Sequence, residues 1–153
     1  MKVIAYDPFL SAERAQQLGV ERIEDLDELL GRADIVTLHT NLSDETRHLI
    51  NTDRLATMKK GAVLINTARS ELVDLPAIIA ALKSGQLAGY GTDVLDEEPP
   101  PKDHPLFACP TAVITPHIGS RTYESVARQA KMAAENLIAV LNGKKPLAQA
   151  NTL

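Results

Sequence analysis

The chain is poor in cysteine and in aromatic residues. One cysteine, Cys109, stands among 153 residues, so no internal disulfide can form, which suits a reducing cytoplasm. Aromatics make up 3% of the chain and tryptophan is absent. Positive charge is in deficit: the formal net charge is −4, which gives no global electrostatic support to nucleic-acid binding. No apolar run approaches the ~20 residues that a membrane-spanning helix requires. The opening "MKVIAYD" turns polar too soon for a secretory signal. No low-complexity segment and no internal repeat is visible. The chain does hold Val, Ile, Leu and Ala in quantity, with 44% hydrophobic residues, as buried parallel strands and packed helices require. Its length suffices for one domain with a real core.

Short apolar runs alternate with helical patterns. Strands are expected at 2–6, 20–23, 34–39, 61–66, 87–94 and 112–115. Helices are expected at 11–19, 24–32, 51–58, 74–85 and 121–143. Ser11, Asn51 and Asp74 are placed to cap helix starts, and Gly19, Gly85 and Gly143 to stop helix ends. Strands alternating with helices at short spacing predict an α/β fold, a doubly wound parallel sheet covered on both faces. The Pro-rich, charged stretch at 95–105 reads as a surface loop inside a single domain.

In such sheets the ligand lies beyond the carboxyl ends of the strands. The polar residues there are Asp7, His39, Thr40, Asn66, Arg69, Asp93 and His117. Asp7 can accept hydrogen bonds from both hydroxyls of an adenine ribose and repel a 2′-phosphate; alternatively it caps a turn, since "DP" opens many turns. Arg69, in "NTARSELVD", carries a planar, permanent charge that suits a carboxylate; alternatively it closes a strand–helix loop at the surface. His117, in "TPHIGS", can exchange a proton with a hydroxyl or carbonyl oxygen, or it can bond the backbone at a helix entry. Glu98, in "DEEPP", is an orienting acid or part of a solvated charge run. Together, an arginine, a carboxylate and a histidine at strand ends supply an anion clamp, an orienting acid and a proton donor.

These segments resemble the signature regions of the D-isomer-specific 2-hydroxyacid dehydrogenases, a family that includes phosphoglycerate dehydrogenase. The motifs are "NTARSELVD", "GTDVLDEEP" and "TPHIGS", joined by "HTNLSDETRHLI", "MKKGAVLIN" and "ALKSGQLAG", and the likeness runs from "VIAYDP" to "NLIAVLNGKKP". The resemblance implies a Rossmann-like domain and hydride transfer between NAD and a 2-hydroxy or 2-keto acid. By that resemblance Arg69 binds the substrate carboxylate, His117 is the acid/base on the 2-hydroxyl, and Glu98, just before Pro99, pairs with the histidine. Asp93 bonds the nicotinamide carboxamide, Asp7 the ribose, which implies NAD over NADP, and Thr40 with the backbone near Ala68 lines the cofactor groove. No metal, nucleic acid or membrane is expected at the site, and the location implied is cytoplasmic.

Three departures from the family pattern stand out. Asn41 follows "HT" where proline is usual, which predicts a more flexible loop. Ser70 follows the arginine where glycine is usual; a positive φ there would cost serine about 1 kcal/mol. The family's opening strand, G-x-G-x-x-G turn and helix, which receive the pyrophosphate, have no counterpart, and neither has its substrate domain. The chain is therefore expected to be a partial, N-terminally truncated dinucleotide-binding domain. Loss of a central strand is expected to leave its neighbours with unpaired backbone and an exposed apolar face. Two other readings stay open: a non-catalytic nucleotide-binding or dimerisation remnant, with the long helix in a homodimer contact, and a half-enzyme completed in trans by a partner chain.

Overall fold

The computed structural model describes residues 1–149. They divide into two compact units, one of 1–116 and one from His117 onward. The first unit is α/β with parallel strands. β1 (Ile4–Ala5) and β2 (Glu21–Arg22) pair in one small sheet; β3 (Ile35–Leu38), β4 (Ala62–Asn66), β5 (Leu87–Thr92) and β6 (Ala112–Ile114) form a second, in that order. The helices are α1 (Ala12–Leu18), α2 (Leu26–Arg32), α3 (Thr52–Thr57) and α4 (Leu75–Ser84). Short 3-10 turns at Ser70–Leu72 and Pro105–Ala108 were not evident from sequence.

Local chemistry explains the helix boundaries. Ser11 accepts from the Arg14 N–H at 3.1 Å, Asp25 from Glu28 at 2.7 Å and Asn51 from Arg54 at 3.0 Å, each satisfying an orphan donor of a first turn. Gly19 and Gly85 end α1 and α4 in the left-handed conformation, at φ 68° and 74°. The expected elements are all present, most of them shorter than predicted. The strand expected at 2–6 contracts to Ile4–Ala5, because β2 offers only two residues to pair with.

The core lies on one face of the second sheet. β4 alternates strictly, burying Ala62, Leu64 and Asn66. Leu64 is fully enclosed, among Val36 and Leu38 of β3, Tyr90 of β5 and the α4 stripe Ala77, Ile78, Ala81 and Leu82. The register places Ile35, Val63 and Gly89 in one row of the opposite face, and Thr37, Ile65, Gly91 and Val113 in the next. That face is open: Ile35 is 54% exposed and Val113 68%. Among the described residues no ladder joins β1 to β3, so strand order breaks at that point. The right-handed crossover rule puts α3 and α4 on one face of the β3–β6 sheet.

The second unit is built on α5 (Tyr123–Leu141), capped by Thr122, whose Oγ1 accepts from the Ser125 N–H at 3.1 Å. Asn136 Oδ1 accepts from the N–H groups of Leu147 and Ala148 at 2.9 and 3.3 Å and folds the following segment back on the helix. Among the described residues no helix is long and apolar enough to cross a membrane.

Candidate functional site

Because β3 to β6 run parallel, their carboxyl ends lie side by side. β3 leads to Thr40, β4 to the 66–69 loop, β5 to Asp93 and β6 to Thr115. The 66–69 loop is organised by Asn66, which is fully buried. Its Nδ2 donates to the Arg69 carbonyl at 2.8 Å and its Oδ1 accepts from the Ala68 N–H at 3.1 Å. Arg69 therefore leaves the strand at a fixed point, with its side chain exposed. Its Nη1 donates to the Ala68 carbonyl at 2.6 Å. Both backbone groups of Ala68 are thus engaged within the loop.

The same asparagine ties this loop to the next strand. The Asn66 carbonyl accepts from the Asp93 N–H and from Thr92 Oγ1, both at 3.1 Å. Thr92 Oγ1 also donates to the Val94 carbonyl at 2.7 Å. Asp93 is 5% exposed, and its Oδ1 accepts from Thr115 Oγ1 at 2.6 Å. Arg69, Asp93 and Thr115 are in this way held across three adjacent strand ends. A carboxylate in so enclosed a place requires such donors. Beneath them Tyr90 is 2% exposed, and burial pushes its hydroxyl above the ordinary tyrosine range, while hydrogen bonds with Thr92 and Asn66 oppose the shift.

Glu71, two residues past Arg69, has its carboxyl held below the usual glutamate range. Its own backbone N–H is the largest cause, then the Ser70 hydroxyl at 2.9 Å, then the charges of Arg47 and Arg69. Ser70 is not among the residues with positive φ; it opens the 3-10 turn in an ordinary conformation, so the predicted serine penalty does not arise. Asn41 does not leave its loop untied either, because its carbonyl accepts from Thr46 Oγ1 at 2.7 Å.

The remaining expected residues are placed as follows. Asp7 follows β1 in the two-stranded sheet, exposed, with Oδ1 accepting from the Phe9 N–H at 2.8 Å. That is the turn cap that "DP" suggested, and it also fixes the direction of the carboxylate. Thr40 is partly buried after β3, where Thr37 Oγ1 and His39 Nε2 lie 3.0 Å apart. Glu98 is exposed in the 95–105 loop, and its Oε1 accepts from the Leu95 N–H at 3.1 Å; the Glu98–Pro99 peptide is cis. His117 begins the second unit with φ of 52°, a conformation few non-glycine residues adopt and one that concentrates at functional positions.

Sequence reasoning named Asn66 as a strand-end residue but gave it no task, and it overlooked Thr92, Thr115 and the His104–Asp96 pair. His104 is 3% exposed; its Nε2 lies 2.8 Å from Asp96 Oδ1, and its Nδ1 accepts from the Leu106 N–H at 3.3 Å. This bond closes the loop that carries Glu98. A usable signal was present at Asn66 and Thr92: a polar residue ending an otherwise apolar buried strand must find internal partners.

Comparison with known proteins decides the lineage of this site. Residues 1–119 match the family model described as D-isomer specific 2-hydroxyacid dehydrogenase, NAD binding domain. The chain belongs to the D-isomer specific 2-hydroxyacid dehydrogenase family. It is 52% identical over 127 residues to a glyoxylate reductase of Thermofilum pendens, covering 83% of this chain and 38% of that protein. It is 42% identical over 144 residues to a D-3-phosphoglycerate dehydrogenase of Methanocaldococcus jannaschii, covering 94% and 27%. The crystal structure of the TT0316 protein of Thermus thermophilus superposes with a TM-score of 0.90 at 46% identity, over 99% of this chain and 46% of that one. The chain thus spans less than half the length of each of these proteins.

NAD is the cofactor of the matched domain family. The strand ends offer two carboxylates that can accept hydrogen bonds from hydroxyl or amide groups of such a cofactor: Asp7, exposed after β1, and Asp93, buried after β5. The sequence has no G-x-G-x-x-G turn for the pyrophosphate.

Proposed function

We propose that the chain is a single, partial dinucleotide-binding domain that supplies the cofactor side of an NAD-dependent D-2-hydroxyacid dehydrogenase. The observation that carries this reading is the hydrogen-bonded row from Arg69 through Asn66 to Asp93 and Thr115, which ties the loop of a cationic, exposed arginine to a buried acid at the adjacent parallel strand end. NAD, when bound, accepts or returns a hydride at its nicotinamide ring. Arg69 takes the substrate carboxylate in two parallel N–H···O bonds and so fixes which face of C2 is offered. His117 takes the proton of the 2-hydroxyl as the C2–H bond gives up its hydride, leaving a 2-oxo acid, and returns it in the reverse direction. By the family resemblance Glu98 is the acid assigned to orient His117. Asp93 receives the carboxamide, Asp7 the ribose hydroxyls, and Thr40 with Ala68 flanks the groove. The single buried cysteine, Cys109, supports a cytoplasmic setting, and exposed apolar residues along α5 support a homodimer.

The test is NADH fluorescence together with turnover of a 2-oxo acid. In the enzyme of which this domain supplies the cofactor side, Arg69→Ala and His117→Ala are each expected to abolish turnover while the fold survives. Turnover indifferent to both changes would sink it. One observation favours a second reading, completion in trans by a partner chain: among the described residues β1 and β3 are unjoined and the outer sheet face is open. NADH binding that appears only on co-expression with such a partner would select it.

A further inference from the structure

We propose that Asn66 is the positioning residue of the Arg69 anion site. This rests on the reading of Arg69 as the carboxylate binder. Asn66 ends β4 with no solvent exposure, and every polar group it owns near the loop is engaged. Its side chain closes the turn twice, by accepting from Ala68 N–H and by donating to the Arg69 carbonyl. Only one orientation of the amide satisfies both partners, because the first is a donor and the second an acceptor. Its main-chain carbonyl then takes the Asp93 N–H and the Thr92 hydroxyl. One residue therefore sets both the point at which Arg69 leaves the sheet and its offset from Asp93. An exposed arginine on a flexible loop would lose affinity for a small anion to the entropy of ordering the loop; the clamp removes that loss before binding.

The chemistry discriminates two substitutions. Asn66→Asp keeps the acceptor for Ala68 but turns an oxygen toward the Arg69 carbonyl, so the loop opens on one side. Asn66→Ala opens both. Ser84→Ala is the control: it removes a hydrogen bond at the end of α4, outside the strand-end network, and leaves the clamp in place.

The probe is glyoxylate, the smallest 2-oxo acid, titrated into the 153-residue chain while the backbone amide signals of the 66–69 loop, present in the parent and in every variant, are followed by NMR. Expected are loss of the response in Arg69→Ala, about tenfold weaker binding in Asn66→Asp, and near wild-type binding in Ser84→Ala. Backbone spectra report whether each variant is folded, and Asn66→Ser replaces any Asn66 variant that is not. If Arg69 is required but Asn66→Asp, Asn66→Ala and Asn66→Ser all bind as the parent does, the positioning role is overturned. If glyoxylate does not bind, or ignores Arg69→Ala, the anion-site reading fails by itself. Hydrogen exchange at the Ala68 amide then judges the clamp: faster exchange in the Asn66 variants sustains it, and unchanged exchange overturns it.

Discussion

Tyr90→Phe tests the buried layer on which the site stands. The substitution deletes one oxygen from a side chain that is 2% exposed and hydrogen-bonded to Thr92 and Asn66. Neither partner is orphaned. Thr92 Oγ1 keeps the Asn66 and Val94 carbonyls at 3.1 and 2.7 Å, and the Asn66 amide keeps Ala68 and Arg69. The loss is therefore that of a net hydrogen bond, about 1 kcal/mol, rather than the larger penalty of a stranded buried group. For a chain of this size that lowers Tm by roughly 2–4 °C. The pH dependence has a definite sign. Burial raises the phenol pKa in the folded state, whereas the unfolded chain releases this proton near the ordinary value of about 10. The associated stability is complete below pH ~10 and is lost as pH rises from there through the folded-state pKa. Urea unfolding from pH 7 to 11 should show the parent losing stability at the alkaline end and Tyr90→Phe losing less, at equal m-values. A drop of ~3 kcal/mol or more at pH 7, or identical alkaline slopes, would refute this account of the layer.

Two further outcomes follow from the open face of the sheet. A Cβ added at Gly91 would meet only the Ile65 side chain, at 3.8 Å, which is ordinary contact, so Gly91→Ala should leave stability unchanged or raise it by up to about 1 kcal/mol in denaturant titration. Val113, 68% exposed in the same face, should drive self-association, and Val113→Lys should shift the sedimentation profile toward monomer.

The sequence alone was enough for the class of fold, for its element order and for the caps, because these depend on short-range chemistry. Alternating apolar runs, Ser11, Asn51 and Asp74 at helix starts and Gly19 and Gly85 at helix stops act within a few residues, and the structure places α1, α3 and α4 where those signals lie. The family was legible for the same reason, since its motifs are contiguous. The tertiary structure alone decided which polar residues share a network. Nothing in "NTARS" says that Asn66 faces inward to hold Arg69, or that Thr115, 22 residues from Asp93, caps its carboxylate. Those partners are set by strand register, which pairs Asn66 with Thr92 and Thr92 with Ile114 across the sheet. Register depends on how the apolar side of each strand packs against α4 and its neighbours, a sum over contacts distant in sequence that no local pattern encodes.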